Sequence, residues 1–143
     1  MPFFTSDAAI ERIGRGLLDR SLPKTEWTHA GHFAAAFWLL SNPDMDAMRE
    51  MPGLICAYNE ATGVANTDSG GYHETITLSS LRAARAWLAD RPGAALHESL
   101  DKLLASEYGR SDWLLAYWSK ALLFSAKARR TWVDPDLKPL PFR

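Results

Sequence analysis

Thr28-His-Ala-Gly-His-Phe-Ala-Ala-Ala-Phe-Trp-Leu-Leu-Ser41 carries the first decision about the fold. Phe33, Ala36, Phe37 and Leu40 recur at three- and four-residue spacing, the period of a helix with one apolar face. Thr28 is a good N-cap, and Ser41-Asn42-Pro43 supplies the stop. The spacing therefore predicts a helix over 29–41. His29 and His32 stand three apart, so they share a face with that apolar stripe.

The same period extends outward in both directions. Ser6 or Asp7 caps a first helix near 7–20, with Ala8, Ile10, Ile13, Leu17 and Leu18 as its stripe, and Pro23 closes that region. Beyond Pro43, Asp44 or Asp46 starts a third helix, along which Met45, Met48, Met51, Leu54, Ile55 and Tyr58 recur up to Gly63. Pro52-Gly53 is expected to kink or divide it. Residues 63–72 hold Gly63, Gly70 and Gly71 beside Asn66-Thr-Asp-Ser69, and read as a loop with Gly70 and Gly71 at positive φ. A fourth helix is expected over about 73–90 and a fifth over about 94–106. A sixth, capped by Ser111 or Asp112, should run to about 119, followed by a short turn over 126–131 capped by Ser125. Val and Ile are scarce and no segment alternates cleanly, so strands find no support. The expectation is an all-α, single-domain antiparallel bundle of five to six helices. Its core is 7–131, and 132–143, with Pro135, Pro139 and Pro141, is an extended surface tail.

With 143 residues, the chain has the length of one domain and enough surface to bury a real core. Hydrophobic residues make up 47% and charged residues 23%, which excludes a disordered tail, a collagen-like fibre and a disulfide scaffold. A formal net charge of −1 argues against an electrostatic grip on nucleic acid. The basic run Lys127-Ala-Arg-Arg130 fits a helix C-terminus and receives no nucleic-acid role. The longest apolar run, Phe33 to Leu40, is far short of the roughly 18 residues of a membrane span. Met1 to Asp7 lacks the basic start of a signal peptide, so a cytoplasmic location is expected. The single cysteine, Cys56, reads as an inert core thiol with no histidine near it in sequence.

The histidines attract the functional reading. In an up-and-down bundle, the second and fourth helices run parallel, which brings His29, His32 and His73 to one end. Tyr58, Asn59 and Glu60 arrive there at the close of the third helix, together with the loop 63–72. His97 should lie at the opposite end. Three imidazoles in an apolar interior suit zinc, nickel or iron, and three protein ligands leave a position for a water nucleophile. Glu74 or Glu60 then serves as general base or fourth ligand. Tyr58, Asn66, Thr67, Tyr72 and Thr77 are the candidate ligand-binding residues. Without a metal, the same pocket would use His73 and Glu74 to bind a small polar molecule. The bland alternative is a set of histidines that cap helices and bond loop carbonyls.

The loop lacks the lysine of a phosphate-binding loop, which discounts a nucleotide. Six tryptophans are many for this length. Trp38 and Trp87 read as core, and Trp27 as a staple onto the second helix. Trp113, Tyr117 and Trp118 form a patch for either core packing or a pocket wall.

The blocks Trp27-Thr-His-Ala-Gly-His32, Tyr58-Asn-Glu-Ala-Thr-Gly63, Asn66-Thr-Asp-Ser-Gly-Gly-Tyr-His-Glu-Thr75 and Leu123-Phe-Ser125 with Ala128-Arg129 resemble those of a family of small bacterial proteins. The resemblance spans roughly 27–130 and implies no particular chemistry. A looser architectural likeness, to DinB-like helical bundles, implies a divalent metal held by three histidines. Three functions are therefore expected in competition. They are metal-assisted hydrolysis or transfer on a small-molecule substrate, metal-free binding of a small ligand, and a structural role with self-association as a possible homodimer.

Overall fold

The computed structural model describes residues 3–143, and among them the regular structure is entirely helical. Met1 and Pro2, which begin the stretch read as lacking a leader, lie outside the described residues. The main helices are α1 (Asp7–Asp19), α2 (His29–Ser41), α3 (Ala47–Ala61), α4 (Glu74–Ala89) and α5 (Leu96–Leu104), followed by short α6 (Lys120–Leu123) and α7 (Ala126–Arg130).

The centre of this bundle is α2. Phe33, Ala34, Ala35, Ala36, Phe37 and Leu39 are all buried, so the helix is covered on nearly every side. That is the signature of a helix inside the core rather than at its rim. It packs against α1, α3, α4 and α5. Gly14 of α1 makes one of these approaches close: a Cβ there would lie 2.3 Å from the Trp38 ring. From α1 come Ile10, Ile13 and Leu17, from α3 Met51, Ile55 and Tyr58, and from α4 Leu81, Ala83 and Ala84.

The local signals act as elementary chemistry dictates. Ser6, Thr28 and Asp46 cap α1, α2 and α3 by accepting from Ala9, Gly31 and Arg49 N–H. Trp27 sits on His32 with ring centroids 4.8 Å apart, a staple across the start of α2. Pro52 lies inside α3 without dividing it. One hydrogen bond is lost there, and the burial of Met51, Ile55 and Tyr58 on either side outweighs it.

Two regions depart from the pattern. No sixth helix runs to 119; a single 3₁₀ turn covers Trp113–Ala116. Trp113, Leu114, Tyr117 and Trp118 are all buried around it. Ser119, held by Asp136, then starts α6, which the sequence pattern did not suggest. The stretch 132–143 carries no helix but is anchored more deeply than a surface tail. Val133 is buried, Trp118 Nε1 donates to its carbonyl at 3.1 Å, and Leu137 N–H donates to Tyr117 O at 2.9 Å. Phe142 packs against Tyr108 and Trp113. No helix among the described residues is long and apolar enough to cross a membrane.

Candidate functional site

Two adjoining cavities open where the start of α2 meets the start of α4. The larger, about 410 Å³, is bounded by Trp27, His32, Ile55, Asn59, Val64, the loop residues Gly71 and Tyr72, His73, Ile76 and Thr77 of α4, and Arg129 of α7. The smaller, about 230 Å³, is bounded by His29, Phe33, Ser80, Ser111 and Trp113. Trp27, His32 and Ile76 line both and so form the wall between them. A broader hollow of about 550 Å³ lies under the C-terminal stretch, with Arg82 stacked 4.0 Å over Trp132, and it holds no histidine.

His29, His32 and His73 all line these two cavities, but each is used differently. His73 is the N-cap of α4, and its Nδ1 accepts from Ile76 N–H at 3.1 Å. Its Nε2–H donates to Leu123 O at 2.7 Å. These two partners fix its tautomer and occupy both ring nitrogens. Burial pushes its pKa down, against the Leu123 carbonyl, and the Arg129 charge adds to the fall. His29 Nε2–H donates to Tyr108 O at 2.8 Å, and its ring stands edge-on to Phe33. Among the described residues, His32 is the one histidine with no hydrogen-bond partner: burial and then the neighbouring His29 push its pKa down to about 4. At neutral pH it is an uncharged imidazole with one donor and one acceptor facing the wall of two cavities.

No group of three or more His, Cys, Asp or Glu side chains that could hold a metal ion occurs among the described residues. His73 has no lone pair to give while it caps α4, and His29 has already committed Nε2. The rings as arranged do not fit zinc, nickel or iron as a three-histidine centre.

The other candidates divide in the same way. Tyr72 and Thr77 line the larger cavity. The Tyr72 hydroxyl donates to Glu74 at 2.5 Å, and burial, then that carboxylate, pushes its pKa up. Glu74 is engaged in that bond and Glu60 is exposed, so neither stands beside His32 as a base. Tyr58 is buried and donates to Leu22 O at 2.7 Å, away from the cavity. Asn66 organises the loop instead of lining it: its Oδ1 accepts from Asn59 Nδ2 and Tyr72 N–H, and its Nδ2 donates to Cys56 O. Thr67 is exposed and accepts from Ser69 N–H. Gly71, with φ of 77°, makes the close turn beneath Asn66; Gly70 does not adopt positive φ. Cys56 is half-buried, and its thiol is pushed up by burial, with Glu60 and Glu74 adding to it. His97 bonds Asp7 at the start of α1 and lines neither cavity.

Trp27 and above all Arg129 are wall residues that sequence reasoning did not assign to the site, and Asn59, expected at this end, was given no role there. Arg129 donates from Nη1 to Gly71 O and Tyr72 O, 58 and 57 residues away in the chain. No local pattern announces such a contact.

Compared with known proteins, the chain matches no family model, no curated protein and no solved structure.

Proposed function

We propose that this protein binds a small organic molecule in the cavity between the starts of α2 and α4, without a metal, and that His32 contacts it. One observation carries the reading: His32 is the histidine whose ring has no partner within the protein, and it stands where two cavities meet. His32 is half-buried, and its ring nitrogens are left to the cavities rather than to a protein partner. A ligand that accepts from one nitrogen and donates to the other gives both a partner. Trp27, Ile55, Val64 and Ile76 supply apolar walls for the body of such a molecule, and Asn59 and Thr77 supply polar points. The balance of apolar walls and few polar groups is the usual make-up of a small-molecule site, and about 410 Å³ falls in its usual range. An up-and-down arrangement of the helices is what brings these groups to one end. The reading assigns no reaction.

The test is a screen of neutral one- and two-ring aromatic fragments by ligand-observed NMR on wild type, His32→Phe and His97→Ala. Phenylalanine keeps the ring volume and removes both nitrogens. The expected result is a set of mutually competing fragments that bind wild type and His97→Ala alike. In His32→Phe they should weaken by about tenfold, the worth of one hydrogen bond in a dry site. Absence of saturable binding to wild type contradicts the proposal, as does equal binding to His32→Phe.

A further inference from the structure

We infer that the molecule bound here is a carboxylate on an apolar body, and that Arg129 takes its charge; this rests on the binding reading above. Arg129 reaches from α7 to the cavity wall and spends Nη1 on two backbone carbonyls, Gly71 O at 3.1 Å and Tyr72 O at 3.3 Å. Its neighbour Arg130 is paired with Asp68. Arg129 itself forms no ion pair among the described residues, and its Nε–H is buried without an acceptor. Carbonyl oxygens orient a guanidinium but do not neutralise it, and a partly buried charge without a counter-charge is expensive.

The remaining groups around the cavity offer no such counter-charge. His32 and His73 are held neutral by burial at neutral pH. Tyr72 keeps its proton, which it donates to Glu74. The Glu74 carboxylate is bound there and does not line the cavity. The wall therefore carries one formal charge, and it is positive. With Nη1 on the two carbonyls and Nε enclosed, Nη2 is the donor left for a carboxylate oxygen, and it carries part of the delocalised positive charge. A single cation among apolar walls suits a monoanion better than a phosphate dianion, which needs several donors. The position of Arg129 beside Gly71 and Tyr72 puts the head group at the loop and the body toward Trp27 and Ile76.

Matched probes test this. Benzoate, benzamide and phenyl phosphate share a ring and differ in the head group. Their affinities are measured by NMR titration on wild type, Arg129→Lys and Arg129→Met, with thermal melts of each variant to confirm folding. Benzoate should bind wild type about tenfold more tightly than benzamide, a gap of about 1.4 kcal/mol. Arg129→Met should bring the two within about twofold, and Arg129→Lys should keep part of the gap, since it keeps the charge and loses the Nη1 contacts that aim it. The wild-type comparison stands even if a variant fails to fold. Benzamide binding as tightly as benzoate overturns this inference and leaves the binding reading intact. Phenyl phosphate binding more tightly than benzoate overturns the carboxylate. No binding of any of the three, with the neutral fragments also silent, overturns both.

Discussion

His32 and His73 show how two residues of one type, at one end of one bundle, acquire different work. Both begin a helical stripe, and both are desolvated. His73 is the N-cap, so its ring folds back on Ile76 N–H and its far nitrogen finds Leu123 O. His32 sits a turn into α2 under Trp27, and no backbone group among the described residues bonds its ring. The depressed pKa of His32 has a consequence for stability. Its folded value of about 4 lies below its ordinary 6.5, so the unfolded chain binds the proton more readily. The stability this provides is full above pH 6.5 and is lost as pH falls from 6.5 toward 4, by up to about 1.4 kcal/mol per pH unit. His73, also depressed, adds a slope of the same sign. Asp7, Glu26 and Asp68, whose pKa values are lowered by their partners, lose their contributions only at more acid pH. Denaturant unfolding at pH 7, 6, 5 and 4.5 should show wild type losing stability more steeply than His32→Phe. Equal slopes would contradict a buried, unpartnered ring.

At the scale of elements, α1, α2 and α4 were legible within a residue or two; each has a strong periodic stripe, and Ser6 and Thr28 are side chains suited to cap the first two. The Trp27 staple was legible for the same local reason. The region after α5 was not. Trp113, Leu114, Tyr117 and Trp118 carry helical spacing and are buried, yet the chain there makes only a 3₁₀ turn, and no local signal in the sequence marks it. Pro52 failed to divide α3 because the packing of Met51 and Ile55 exceeds one missing hydrogen bond. That missing bond is still a cost. Pro52→Ala restores an N–H facing Met48 O and should stabilise the protein by about 1–3 kcal/mol, read as a shift in the urea midpoint with unchanged slope. A destabilised Pro52→Ala would mean that the ring of Pro52 is itself needed for packing.

At the scale of the molecule, the cavity is a product of convergence. His32 comes from the start of α2, Asn59 from the end of α3, Tyr72 and Thr77 from either side of the α4 cap, and Arg129 from α7. Residues at the starts of α2 and α4 and the close of α3 were expected together from helix order, and the cavity wall holds residues of all three. Arg129 was not, since a basic run at the end of a short helix has an ordinary explanation, and its partners are distant in sequence. The sequence also could not show which histidine would be left free, because Leu123 O and Tyr108 O reach His73 and His29 from 50 and 79 residues away.

The account turns on the state of the His32 ring, and histidine-selective NMR reads it directly. Ring resonances of the four histidines are followed against pH, and His32 is assigned as the set lost in His32→Phe. The prediction is that this set titrates near pH 4 and is the one displaced when a fragment saturates the protein. A His32 that titrates near 6.5 and does not move on fragment binding would contradict the account.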